Sequence, residues 1–279
     1  MSKLTIKTIS SAQNPLIKTV MLLLDKSRER RREQVFVAEG MAEVKRAIEA
    51  GYEAQILIFA DGNTDDAVIA ETYHLANQYA PATDIELIKT TPTLFARLAY
   101  RGNVYNHILA VFKAKTHSLS QLPKPAKNWL GLVIEGVEKP GNIGAIMRTA
   151  NAAQVNAVLL CTPQQHADVY HPHILRASLG GCFSLPIAIC STTEAINWLQ
   201  QHNITSFAAA LSGSVPHFEA NFKTSCAIVL GAEHQGLSNE WLNNANHKIR
   251  IPMHGQVDSL NVSVSAAILV YEALRQRAA

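Results

Sequence analysis

From Leu130 onward the sequence repeats one pattern, a short and continuously apolar segment followed by a stretch of helical character. The apolar segments are Leu130–Glu135, Ala157–Cys161, Leu185–Ile189, Ser206–Ala210 and Ala227–Leu230. Strands that are apolar on both faces and separated by helices form a parallel sheet with helices covering each side. The earlier part of the chain also alternates. Asn14-Pro15 opens a helix through Leu16–Leu24, because proline at the first helical position gives up no hydrogen bond that was needed. Strands are expected at Gln34–Ala38, Gln55–Ala60, Asp84–Lys89 and His107–Lys113, and helices at Met41–Ala50, Asp66–Tyr79 and Pro92–Tyr100. Between the two halves, Ala114–Asn128 carries Pro123, Pro125, several lysines and no apolar period, as a linker does. The expected organisation is a smaller α/β domain over 1–113, a linker over 114–128 and a parallel-sheet α/β domain over 129–279.

A chain of 279 residues accommodates two such domains, and 48% hydrophobic against 17% charged residues excludes global disorder. The net charge of +3 is compatible with a polyanionic partner but does not by itself point to one. Cys161, Cys182, Cys190 and Cys226 have neither C-x-x-C spacing nor the density of a disulfide framework, so they read as reduced, buried thiols of a cytosolic protein. No segment has the uninterrupted apolar length that crosses a bilayer, and a soluble, cytoplasmic protein is expected. No internal repeat is evident.

Three segments of the second half stand apart from scaffold sequence. In the first, Glu135–Ala152, a strand ends in a glycine-bearing loop and a helix begins. Asn142 sits where a side chain either caps that helix or faces a cleft, and Arg148 follows almost two turns later. The spacing is not the G-x-G-x-x-G dinucleotide fingerprint, and no phosphate-binding P-loop occurs in the chain. In the second, Val229–Ser238, a strand runs into Gly231, then Glu233, Gly236 and Ser238, the last suited to capping the next helix. Glycine directly after a parallel strand lets a ligand approach the backbone, though two glycines also simply shape a turn. In the third, Ile249–Ala267, Pro252 and Gly255 precede a helix rich in small residues. Ser259 and Asn261 stand at its mouth, either facing a polar ligand or leaving Asp258 or Ser259 to cap the helix.

Taken in order and spacing, the three segments resemble the signature motifs of the SpoU (TrmH-like) RNA ribose 2′-O-methyltransferases of the SPOUT superfamily, over Leu130 to Arg277. Ser10-Ser11, Asn14-Pro15 and Ile17-Lys18, followed by Phe36–Gly40, resemble the substrate-binding domain often attached to that family. The resemblance implies a parallel sheet whose C-terminal part is threaded into a deep trefoil knot, preceded by the smaller RNA-binding α/β domain. It implies S-adenosylmethionine as cofactor, held by Gly231, Ile251 and Leu260 with Met253 and Leu211 nearby. It also implies a homodimer with the helix Val262–Arg277 at the interface, and ribosomal or transfer RNA as substrate, ribosomal slightly favoured.

The catalytic residues implied are Arg148, Asn142, Glu233, Ser259 and Asn261. Displacement at a sulfonium methyl needs alignment of the nucleophile and removal of the hydroxyl proton, without a metal. The family assigns Arg148 to the ribose hydroxyl. Arginine is effectively never deprotonated in proteins, so a clamp on the adjacent phosphate stands beside a role as base. The sequence departs from the family at Asn151, where an acidic residue is common, and at Gln154, where glycine is common. The competing readings are a catalytically inactive RNA-binding protein of the same fold and a nucleotide-dependent oxidoreductase, which lacks its fingerprint loop. His171-Pro172-His173 with His166 could suggest a metal, without a cysteine or carboxylate at ligand spacing. Arg176–Gly181 could contact substrate or end a helix, and the basic run from Lys26 to Arg32 could meet phosphates or form a solvated helix end.

Overall fold

The computed structural model describes residues 4–81, 84–99, 108–162, 167–233 and 235–278. The chain forms two compact units: Met1–Thr116 with Asp168–Ser184, and His117–Ala167 with Leu185–Ala279.

The first unit is built on a five-stranded sheet of β1 (Ile6–Ile9), β2 (Val35–Glu39), β3 (Ala54–Ala60), β4 (Glu86–Thr90) and β5 (Ile108–Lys113), in the order β1-β4-β3-β5-β2. β5 runs antiparallel to both its neighbours, while β1, β4 and β3 are mutually parallel. The helices are α1 (Pro15–Asp25), α2 (Ser27–Glu33), α3 (Met41–Glu49), α4 (Asp66–Tyr79) and α5 (Pro92–Leu98). Their starts follow the local chemistry. Asn14 accepts from the Leu16 N–H ahead of Pro15, and Thr91 accepts from the Leu94 N–H ahead of Pro92. The edge strand β1 is absent from the sequence reading, since four residues of mixed polarity carry no strand signal of their own.

The basic run forms α2, and its arginines divide. Arg30 is 3% exposed; it donates to the Leu23 and Leu24 carbonyls and forms a two-bond ion pair with Asp168. It is structural and not available to a phosphate. Arg28 and Arg31 remain exposed, and Arg32 pairs with Glu29 and Glu33. Asp168 belongs to a segment that the sequence reading left in the second domain. In the structure Asp168–Ser184, which contains α7 (Pro172–Ala177), packs in the first unit. The Tyr170 ring stacks on Phe36 at 4.2 Å between centroids, and Phe183 stacks on the same ring at 5.7 Å. The Lys115 N–H donates to the Tyr170 hydroxyl at 2.9 Å, and Arg176 pairs with Glu39. Strand alternation cannot register such a segment, because its anchors are single side chains far apart in sequence. Arg176–Gly181 is a helix end: Leu179 and Gly180 both have positive φ, and Gly180 N–H returns to the Leu175 carbonyl at 3.0 Å. His171 caps α7, accepting from the His173 N–H. His166 lies outside the described residues.

The second unit holds a seven-stranded, wholly parallel sheet of β6 (Leu130–Glu135), β7 (Ala157–Cys161), β8 (Ile187–Cys190), β9 (Thr205–Ala209), β10 (Val215–Pro216), β11 (Cys226–Leu230) and β12 (His247–Arg250). Its order is β10-β12-β9-β11-β6-β7-β8. The helices are α6 (Pro140–Ala152), α8 (Thr192–Gln201), α9 (Asn239–Asn244) and α10 (Val262–Ala278). Central strands β6, β7 and β11 are buried almost throughout, as continuous apolar runs require. β10 and β12 escape the sequence reading because one has two residues and the other is His-Lys-Ile-Arg. The expected linker is not free along its length. The Ile189 N–H donates to the His117 carbonyl, and Leu119 and Leu122 pack on the core around Trp129 and Trp241.

All four cysteines are buried and unpaired. Burial pushes the Cys182 and Cys226 thiols up to about 11, which keeps them in the unreactive thiol form. Gln154, just after α6, has φ 52°, the left-handed region where glycine costs least. No helix of the described residues is long and apolar enough to cross a membrane.

Two devices fix the bottom of the central strands. The Arg277 guanidinium, near the end of α10, donates to the carbonyls of Asn128, Phe222 and Thr224 at 2.6–2.8 Å, tying the last helix to the entries of β6 and β11. Trp129 folds over Gly131, so that a Cβ there would lie 2.0 Å from the indole ring. Gly131→Ala is therefore expected to lower stability by about 1–3 kcal/mol through overpacking. Chemical denaturation followed by tryptophan fluorescence checks this, and an unchanged midpoint would show that the indole moves aside freely.

Candidate active site

The loops carrying the three distinctive segments leave the C-terminal ends of β6, β11 and β12, and the loop carrying Leu211 leaves β9 between the last two. In parallel α/β sheets this edge is where ligands bind. The sequence folds this way locally for identifiable reasons. Pro140 takes the first position of α6. Gly231 has no room for a side chain, since a Cβ would sit 2.2 Å from the Gly236 carbonyl carbon. Gly236 itself has φ 66°, and its N–H donates to the Ala232 carbonyl at 2.9 Å. Both glycines are needed for the tight 231–236 loop.

That loop presents Glu233 to the other two segments. Asn142 Nδ2 donates to Glu233 Oε1 at 2.8 Å, and Asn261 Nδ2 donates to the same oxygen at 2.9 Å. Asn261 Nδ2 also lies 3.2 Å from Asn142 Oδ1. The Lys139 ammonium takes the second carboxylate oxygen, Glu233 Oε2, at 2.6 Å. Asn142, Glu233 and Asn261, whose outer members are 119 positions apart, thus form one polar cluster with Lys139. It borders a cleft of about 150 Å³ lined by Gly136, Val137, Lys139, Asn142, Ala232 and Glu233.

Asn142 therefore faces the cleft; it does not cap α6. Asn261 has two tasks, because its Oδ1 accepts from Ser263 N–H at 3.0 Å and Ser263 Oγ at 2.6 Å, capping α10. The cap expected from Asp258 or Ser259 is thus supplied by Asn261. Ser259 is exposed, with its hydroxyl donating to Asp258 Oδ1 at 3.3 Å, outside the cluster. Arg148 is also outside it. Ile143, Ile146, Met147 and Ala150 turn the apolar face of α6 inward, leaving Arg148 exposed without a hydrogen bond or ion pair to any described residue.

The remaining expected residues lie on the rim. Leu211 is 71% exposed in the loop between β9 and β10, and Ile251, Met253 and Leu260 are half-buried in the irregular stretch between β12 and α10. Val257, on the same stretch, is 65% exposed. Apolar side chains displayed at the ligand edge of a sheet, beside loop backbone outside regular structure, suit a molecule with an aromatic ring and a polar tail. The residues present fit a nucleoside-type cofactor. Lys139 received no role from its sequence position; its signal was only its place beside a proline-capped helix start.

A wholly parallel sheet with a polar cluster assembled from three loops at its C-terminal edge defines a ligand-binding α/β domain. Residues 130–271 match the SpoU rRNA Methylase family, and residues 14–108 match the MRM3-like substrate binding domain. The chain belongs to the SpoU rRNA methylase family. It is 28% identical over 96% of its length, and 92% of the relative, to the 23S rRNA (uridine(2479)-2'-O)-methyltransferase of Streptomyces viridochromogenes. It is similar to a crystal structure of an RNA 2'-O ribose methyltransferase, at 36% identity and TM-score 0.81, covering 99% of this chain and all of the other. It is also similar to the SpoU methyltransferase AviRb from Streptomyces viridochromogenes in complex with AdoMet, at 26% identity and TM-score 0.83, over 96% of this chain and 99% of that one.

Proposed function

We propose that this protein methylates a ribose 2′-hydroxyl of ribosomal RNA, using S-adenosylmethionine. The observation that carries the reading is the convergence of Asn142, Glu233 and Asn261 on one cleft at the ligand edge of the sheet. A relative matched along nearly its whole length and named as a 2′-O-methyltransferase of 23S ribosomal RNA supports the substrate class.

In this reading Gly231, Ile251, Met253, Leu260 and Leu211 hold the cofactor, which supplies an electrophilic methyl group when bound. Asn142 and Asn261 hold the Glu233 carboxylate and with it the shape of the cleft. Arg148, exposed and without a partner among the described residues, uses its planar fork on the substrate, gripping the phosphate beside the reacting ribose. Ser259 orders the stretch between β12 and α10 around the ligand.

The unit His117–Ala167 with Leu185–Ala279 pairs with a second copy through α10, whose Val264 and Tyr271 are exposed apolar residues on an otherwise well-packed helix. The knot of the family is proposed as well. Only residues 210–214 join β9 to β10, yet β12 lies between those strands, a strand order that supports threading of the segment after β12 past that short connection. The protein acts in the cytoplasm, where its RNA is found.

Purified full-length protein is expected to bind S-adenosylmethionine or S-adenosylhomocysteine in titration calorimetry and to transfer labelled methyl to ribosomal RNA. Absence of binding by either molecule to the folded protein would overturn the enzyme reading. Binding without transfer to any RNA would leave an inactive member of the family.

A further inference from the structure

We infer that Glu135 is a positioning residue for cofactor binding, acting through the loop that carries Gly231 and Glu233. The inference rests on the methyltransferase reading and adds to it a residue outside the Asn142–Glu233–Asn261 cluster. Glu135 is the last residue of β6, where the strand reaches the ligand edge. Its carboxylate is fully engaged away from the cleft. Oε2 accepts from the Ser238 N–H at 2.7 Å, and Oε1 accepts from the Ser238 hydroxyl at 2.9 Å and the Thr192 hydroxyl at 2.5 Å. One carboxylate thus joins the end of β6, the first turn of α8 and the end of the 231–238 loop.

The consequence follows from the shape of that loop. Its front is held by Asn142, Asn261 and Lys139 through Glu233. Its back is held at Ser238, which caps α9 through the Trp241 N–H and is itself anchored by Glu135. Between the two anchors, Gly236 lies against Gly231 with no space for a single extra carbon. A shift of Ser238 passes through Leu237 to Gly236 and so displaces the Gly231 backbone, the group assigned to the cofactor. Two of the three donors are hydroxyls and the third is a backbone N–H. An ionised carboxylate accepts from all three, whereas an amide must turn a donor toward one of them.

The test compares full-length wild type with Glu135→Gln, Glu135→Ala, Ser238→Ala and Thr192→Val, none of which alters a residue placed against cofactor or RNA. The expected result is a split in the kinetics. Glu135→Ala should raise both the calorimetric Kd and the KM for S-adenosylmethionine by roughly tenfold or more. The KM for RNA, and kcat at saturating cofactor, should stay within about twofold of wild type, since the cluster on the cleft is intact. Glu135→Gln and the two single-bond variants should fall between, and amide hydrogen exchange should quicken selectively over 231–238. If Glu135→Ala does not fold, the same split is read from Glu135→Gln and Ser238→Ala. Cofactor affinity unchanged in every folded variant, or equal losses in cofactor and RNA parameters, would overturn the inference. Failure of the wild type itself to bind cofactor would instead overturn the methyltransferase reading on which it rests.

Discussion

Arg148→Ala is expected to lose on the order of 100-fold or more in turnover at saturating RNA while binding S-adenosylmethionine normally, the scale typical of removing a positioned orienting group. The side chain supports no part of the fold: it is exposed on α6 and pairs with no described residue, so its loss should leave the melting curve unchanged. An arginine that is exposed, and unpaired among the described residues, on a helix whose first turn lines the cleft is free to meet a ligand there. Arg148→Lys separates two roles. Lysine keeps the charge but lacks the planar fork that holds a phosphate through two parallel bonds. If the residue contributed only general electrostatic affinity, lysine would restore most of the rate and excess RNA the rest. If it orients the reacting nucleotide, both variants should be nearly inactive with cofactor affinity intact, and this second pattern is expected. Near-normal turnover of Arg148→Ala at saturating RNA would place the centre of the site elsewhere.

Asp168→Ala should destabilise the first unit by about 3 kcal/mol or more, because it strands a buried guanidinium. Arg30 would keep its bonds to the Leu23 and Leu24 carbonyls but lose the carboxylate that it ion-pairs with directly. Replacing both partners with apolar residues of similar volume, as in Arg30→Met with Asp168→Leu, should recover most of the loss. Urea denaturation of the two variants provides the measurement. If the single and the double variant prove equally stable, the pair contributes packing and not charge compensation. The same geometry bears on domain engineering. A fragment ending at Thr116 would leave Arg30 without Asp168 and Phe36 without the Tyr170 and Phe183 rings stacked on it.

The sequence alone determined the parallel sheet of the second unit and the order of its chemical segments. Continuous apolar runs such as Leu130–Glu135 and Ala157–Cys161 have only one economical use, a strand covered on both faces, and both lie where they were expected. Local capping was legible at Asn14 and Ser238, which bond to N–H groups two or three residues away. The motif pattern also named Asn142, Glu233 and Asn261 but not Lys139, and nothing in spacing alone could say which of them would touch. That Asn142, Glu233 and Asn261 meet while Arg148 and Ser259 stand apart depends on where three strands end in a common sheet, which is a property of strand order.

Other features were decided by tertiary structure only. β12 is a polar tetrapeptide that becomes a strand because it has β9 and β10 to pair with on either side. Arg30 looked like one cation in a solvated basic run, yet it is buried because a carboxylate 138 positions away reaches it. The Asp168–Ser184 segment interrupts the strand–helix alternation of the second unit and packs in the first, through stacked rings and ion pairs whose partners are dispersed along the chain. Short-range periodicity reports what a segment can bury, and it carries no record of which distant side chain will complete it. Glu135 shows the same division: its place at the end of a strand was readable from the sequence, but its three donors were brought to it by the fold.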